Sequence, residues 1–272
     1  MGRRKFLQSA GVLTASTLPF IRTVNANESI TTINESINNR VANLLLRGKT
    51  HEAQQILEKN NIKYAFKNKS ISGGSAIQFM SGEDSEVSTN GHYDDSDSEL
   101  TLSVFNAAGD LGWWVTATMT LQDRKISARD AAIVDDGFGI TYDSSEWSAP
   151  EPTEEGVNTW CSTEAGGSVS LKYQDFAPEK GLAYDVDLPY YLNGETNIGI
   201  QTRLKKPETG LDDIPIKSEY KHTWVLLDLP SYLDAEATAG IGPIGLTVDL
   251  ENCTILWEDE IAVGPRESDS TT

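Results

Sequence analysis

The sequence predicts a mainly β protein, an antiparallel β-sandwich or barrel preceded by an N-terminal α-helical hairpin. Two observations carry this. From Leu100 onward, short runs rich in β-branched and aromatic residues recur between Gly, Pro, Asp and Asn, the pattern of strands joined by tight turns. Between Glu28 and Asn61, apolar residues instead recur at spacings of three and four, which places them on one helical face.

The helical part comes first. Ile30, Ile33, Ile37, Val41, Leu44 and Leu45 form the stripe of a first helix. Arg47-Gly48-Lys49 interrupts it, with Gly48 as the C-terminal cap. Thr50 is placed to N-cap a second helix through Ala53, Ile56 and Leu57, ended by Asn60-Asn61. The resulting hairpin, residues 27–63, resembles a single tetratricopeptide-type unit. One such unit cannot bury its own apolar face, and no repeat of that period follows. The hairpin is therefore expected to pack on the β domain.

Residues 64–99 read as a linker with an acidic loop, Asp94-Asp95-Ser96-Asp97-Ser98-Glu99. The period then becomes two. Leu100, Leu102 and Val104 alternate with Thr101 and Ser103, Ala107-Ala108-Gly109-Asp110 turns the chain, and Trp114 to Leu121 alternates again, a β-hairpin. Further strands are expected at 131–134, 138–142, 168–173, 183–188, 197–204, 222–229, 243–250 and 254–257. About ten short strands at this spacing argue a sandwich or barrel over 100–264, followed by a polar tail, 265–272.

The N-terminus reads as an address. Arg3-Arg4-Lys5 precedes Phe6-Leu7 and a short, mildly apolar stretch from Ser9 to Ile21; Val24-Asn25-Ala26 offers a small-residue cleavage site. Arg3, Arg4, Phe6 and Leu7 together resemble the twin-arginine (Tat) signal family, with departures at Gly2 and Gln8. The resemblance covers residues 1–26. It implies the Tat translocase as a partner during export and a secreted or extracellular location. No stretch approaches 18 consecutive apolar residues, and no anchor is expected in the polar C-terminus.

Charge excludes several partners. The chain carries 41 acidic and 22 basic residues, a formal net charge of −19. Cleavage after Ala26 removes Arg3, Arg4, Lys5 and Arg22 and no acidic residue, leaving −23. Nucleic-acid binding needs a basic footprint, and anionic membrane surfaces repel such a chain. The composition resembles the acidic proteins of salt-adapted microbes. Cys161 and Cys253 are the two cysteines; in an exported protein, parity and compartment predict a disulfide between them. With no Cys-x-x-Cys and with His51, His92 and His222 scattered, zinc is not expected.

No catalytic or cofactor motif is present. The chain lacks Gly-x-Ser-x-Gly, His-Glu-x-x-His, a phosphate-binding loop and Gly-x-Gly-x-x-Gly. A dispersed Ser-His-Asp triad would have to use His92 or His222. His222, in Tyr220-Lys221-His222-Thr223-Trp224, instead reads as a half-exposed strand residue. The acidic loop lacks the spacing of a dedicated calcium site. Sequons start at Asn27, Asn34, Asn68 and Asn252.

Of six tryptophans, Trp113, Trp114, Trp147, Trp160, Trp224 and Trp257, most read as core. Trp147, in a loop, is the first candidate for an exposed recognition face. The best-supported function is a non-enzymatic extracellular binding protein for a glycan or a surface partner. A secreted hydrolase with a dispersed active site is the alternative. A membrane-active, toxin-like protein is a lesser one, resting on the Gly-rich run from Thr238 to Leu246.

Overall fold

The computed structural model describes residues 26–71, 98–106, 112–122, 135–143, 145, 147–149, 157–164, 168–177, 180–188, 194–205, 216–224, 236–242, 245–251 and 254–263. For residues 26–34 and much of the last strand it describes the backbone alone. The twin-arginine motif (Arg3, Arg4, Phe6, Leu7), the acidic loop up to Asp97, His92, Cys253 and the strand expected at 131–134 lie outside these residues.

Two helices open the described chain, α1 (Ala26–Leu46) and α2 (Thr50–Lys59). Gly48 ends α1 at φ 69°. Its N–H donates to Leu45 O at 2.9 Å while Lys49 N–H donates to Leu44 O at 2.9 Å, the paired bonds of a Schellman cap, which need a left-handed residue at Gly48. Asn61, at φ 52°, ends α2 in the same manner, with Ile62 N–H reaching Leu57 O at 3.0 Å. The expected Thr50 cap differs. Thr50 is the first helical residue, Lys49 occupies the cap position, and no side chain bonds there.

Ten strands lie in two antiparallel sheets. The first has the order β1 (Tyr64–Ser70), β2 (Glu99–Asn106), β3 (Trp113–Leu121), β8 (Thr196–Leu204), β5 (Val157–Thr163). The second runs β12 (Thr254–Val263), β9 (Ile216–Trp224), β4 (Asp136–Thr141), β7 (Gly181–Asp187), β6 (Ser170–Ala177). One core joins them, with Leu102, Val115 and Ile200 from the first sheet against Phe138, Tyr184 and Tyr220 from the second. β1 packs near β12 and β5 near β6, so the sheets lie face to face. The architecture is a sandwich, and the barrel alternative falls.

Three strands were not expected. β1 falls in the segment read as linker, and β5 and β10 (Glu236–Ile241) fall between the expected strands. β9 also starts six residues before His222. No residue of β5 is buried, and its apolar residues Val157, Trp160 and Cys161 do not keep a period of two, so the strand signal is weak. β10 pairs with β11 (Leu246–Glu251) as a separate hairpin. Ala239 and Leu246 pack there against Ala183 of β7. The described part of the Gly-rich run, 238–242 and 245–246, lies in this docked hairpin, with Ala239 and Leu246 buried against the sandwich.

Both outer faces of the sandwich are covered, and this changes the burial pattern. Residues 100–105 of β2 and 136–141 of β4 are buried without interruption, as expected when a sheet is packed on both sides. The helical hairpin covers the first sheet. Val41, Leu45, Ala53 and Leu57 pack on Phe105 of β2 and Trp114 of β3. Gly199 of β8 permits the close approach, because a Cβ there would lie 2.3 Å from Leu46 O. The hairpin therefore packs on the β domain, as its single unpaired face requires.

Candidate functional site

Four outward-facing positions of the first sheet build one wall of a cleft. Alternation along β8 turns Ile198, Ile200 and Leu204 into the core and sends Gly199, Gln201 and Arg203 outward. Register pairs Trp114 with Arg203, Asn158 with Gln201 and Trp160 with Gly199, so Trp114, Asn158, Trp160 and Arg203 share that outer face. Because Gly199 has no side chain, Trp160 has no cross-strand neighbour on β8 filling its space. The opposite wall is the flank of α1. Asn39, Ala42, Asn43, Leu46 and Arg47 recur at helical spacing along it. Between the walls lies a cleft of about 530 Å³, in the size range of small-ligand sites, roughly 300–1,000 Å³.

The chemistry of the lining departs from that of the chain. Among the described residues, two arginines, Arg47 and Arg203, line it, and no Asp or Glu does. Arg203 Cζ sits 4.2 Å from the centroid of the Trp114 ring. That ring is itself stacked on Phe105, with centroids 6.3 Å apart and planes within 14°. A guanidinium over an indole face is attracted by the ring quadrupole. Stacking occupies the face of the guanidinium and leaves its in-plane N–H groups for a ligand. Among the described residues, no carboxylate forms a salt bridge with Arg47 or Arg203.

The floor is held by one amide. Gln201, 1% exposed, donates from Nε2 to Ala42 O at 3.0 Å and to Thr116 Oγ1 at 2.6 Å. It ties helix to sheet and fixes the depth of the cleft. Asn43 Nδ2 donates to Asn39 O at 2.8 Å, which leaves the Asn43 carbonyl as an acceptor. Trp160 is half-buried and supplies an apolar wall beside these amides.

The residues singled out by sequence distribute differently. Trp147 is 1% exposed and meets Trp113 edge to face, at 6.3 Å and 89°; it is core and no recognition face. Trp160 is the tryptophan that lines a cleft. Its signal in the sequence was only a tryptophan in a run, Asn158-Thr159-Trp160-Cys161-Ser162, that lacks aliphatic neighbours. Asn68 is exposed on β1. Cys161 is a free thiol, Sγ donating to Val169 O at 3.4 Å, and burial raises its pKa. β5 and β12, the strand that follows Cys253, sit at opposite ends of the two sheet orders.

His222 is fully buried, where half exposure was expected. Its Nδ1 lies 2.9 Å from Asp136 Oδ2, and Asp136 is 2% exposed. The same carboxylate accepts from the Tyr220 hydroxyl and from Thr223 N–H at 2.9 Å. A His-Asp pair is the orienting half of a nucleophilic triad, but here both side chains lie inside the sandwich, closed off from solvent. Asp136 is better understood as a buried charge satisfied by several donors.

On the far side of the second sheet, three carboxylates hold the β10–β11 hairpin by its backbone. Asp185 Oδ1 accepts from Ala239 N–H at 2.7 Å, Asp175 Oδ2 from Ile241 N–H at 3.0 Å, and Glu219 Oε1 from Leu246 N–H at 3.2 Å. Desolvation raises the pKa of Glu219. Nearby Asp135 is pushed up to about 6, by burial first and then by Asp187 and Asp185. Among the described residues, no group of three or more His, Cys, Asp or Glu is arranged to hold a metal ion, and no helix is long and apolar enough to cross a membrane.

No protein-family model matches the sequence, and no curated protein matches it. Among solved structures, one neighbour comes from work on pH-induced modulation of Streptococcus parasanguinis adhesion by Fap1 fimbriae. It is 13% identical, with a TM-score of 0.29, over 62% of this chain and 82% of that one. Another is the KRT10-binding region domain of the pneumococcal serine-rich repeat protein PsrP, 13% identical with a TM-score of 0.25, over 70% and 99%. Similarity this low leaves the functional reading to the cleft itself.

Proposed function

We propose that the protein is a non-enzymatic extracellular binding protein, exported by the Tat route, whose cleft between α1 and β5 takes a glycan on a surface. The observation that carries this is the half-exposed Trp160 set among side-chain amides and guanidinium groups. Indole faces pack against the C–H surfaces of sugar rings, and amides of both hydrogen-bonding senses match hydroxyls, which donate and accept. The hydrolase alternative loses its described histidine, because the His222–Asp136 pair has no route to a substrate.

Glycan-array screening of the secreted protein, followed by titration of the best ligand, tests the reading. Trp160→Ala should weaken binding at least tenfold while leaving the melting temperature within a few degrees. Undiminished binding by that variant refutes the cleft as the site. For export, replacing Arg3 and Arg4 together by Lys should trap the protein in the cytoplasm, since Lys lacks the planar fork of a guanidinium. Normal secretion of the double variant overturns the Tat assignment.

A further inference from the structure

We propose that the cleft selects an acidic saccharide, with Arg203 and Arg47 holding a sugar carboxylate while Trp160 packs against the ring. The inference rests on the reading of the cleft as a glycan site and adds the chemical class of the ligand.

Charge is the first argument. Acidic residues outnumber basic ones 41 to 22 across the chain, so most of its surface repels a polyanion. The cleft departs from that background: among the described residues its lining has two arginines and no carboxylate. A neutral glycan would need no such departure. An anionic one would, because the ligand charge must be met inside a protein field of its own sign.

Preorganisation is the second. A mobile arginine loses rotamer freedom when it grips a ligand. Arg203 is already held over Trp114 at 4.2 Å, on a ring stacked in turn against Phe105. Its planar N–H edge matches the two oxygens of a carboxylate in a bidentate pair. Arg47, exposed at the end of α1, adds a second charge from the opposite wall.

The sugar part follows from what surrounds the arginines. An acidic peptide would satisfy the guanidinium groups equally well. It would also bring a row of backbone N–H and C=O groups, which pair best with a free strand edge. β5 offers such an edge, because it ends the first sheet, so the choice of a saccharide rests on the side-chain lining of the cleft. That lining offers Trp160 and the amides of Asn43 and Asn158, a match for ring C–H groups and hydroxyls.

Three probe sets decide the matter on the secreted protein by isothermal titration at 0.1 M salt. They are uronate and polysialic acid polysaccharides, the same polysaccharides with their carboxyls methyl-esterified, and poly-glutamate. The acidic polysaccharides should bind, and esterification should weaken binding at least tenfold. Arg203→Gln should cost a similar factor and Arg203→Lys most of it, because the charge remains but the fork is lost. Thermal melts of both variants confirm that they fold. If esters bind as well as acids, or Arg203→Gln binds normally, the carboxylate assignment falls while the glycan reading stands. Equal binding of poly-glutamate overturns the saccharide class. If no polysaccharide binds, acidic or neutral, both readings fall.

Discussion

His222 and Asp136 are paired at 2.9 Å in the interior of the sandwich, and both side chains are sealed from solvent. The pair joins β9 to β4, and the same carboxylate accepts from the Tyr220 hydroxyl and from the Thr223 backbone. Deleting the acceptor strands several buried donors at once. Asp136→Ala should therefore lower unfolding free energy by about 3–5 kcal/mol, the usual cost of breaking a buried pair. Chemical denaturation measures it. A loss below about 1 kcal/mol would mean that the donors find other partners.

Gly199 sets the distance between α1 and the first sheet. A Cβ at that position would meet Leu46 O at 2.3 Å and Leu46 Cδ1 at 3.1 Å, and the backbone oxygen cannot rotate away. Gly199→Ala should cost about 1–3 kcal/mol, the range of core overpacking. It should also weaken ligand binding, because α1 is one wall of the cleft. Unchanged stability would show that the helix rides the sheet more loosely than its Gln201 tie indicates.

Asp135 carries a pKa raised to about 6 from the model-peptide 3.8. A carboxyl raised in the folded state favours folding most when protonated. Its contribution is full below the unfolded value near 4 and is lost as pH rises through 6. Asp135→Asn should therefore melt higher than the parent at pH 8, with the difference shrinking as pH falls from 6 to 4. Half-exposure screens the effect, so a gain on the order of 2 °C is expected. A variant that melts lower at pH 8 would show the ionised carboxylate making a favourable contact.

Cys161 donates to Val169 O at 3.4 Å as a free thiol. A serine hydroxyl can make the same bond, so Cys161→Ser should cost no more than about 1 kcal/mol. Removing a disulfide from a secreted domain costs about 2–5 kcal/mol. Denaturation of the variant, with thiol labelling of the unfolded, unreduced parent, separates the two. A large loss together with no labelled thiol would restore the Cys161–Cys253 bond expected from compartment and parity.

Much of the architecture was legible in the residues. The period-3.6 stripe through Val41 and Leu45, ended by Gly48, marked the helical hairpin. Strict alternation from Leu100 to Val104 marked β2, and that from Trp114 to Leu121 marked β3. These signals are local, because a residue's neighbours three, four or two positions away determine which face it shares. β1 and β5 escaped because alternation is poor in both: β1 ends in the polar run Lys67-Asn68-Lys69-Ser70, and β5 carries Trp160 directly beside Cys161. β10 escaped because its residues from Glu236 to Gly240 are small or polar, and backbone amides paired with carboxylates hold it on the second sheet.

The site belongs to the tertiary structure. Trp147 and Trp160 look alike as letters among polar neighbours, yet one is sealed against Trp113 and the other lines a cleft. Nothing within a few residues of either distinguishes them. Burial of a large ring is decided by what lies across from it, and that is a contact between segments far apart in the chain. The same holds for Arg203. Sequence determined that it lies on a strand and that the chain around it is acidic. Only the meeting of β8, β3 and α1 placed it over Trp114, in a cleft whose described lining holds no carboxylate, because a local field is the sum of charges brought near by folding.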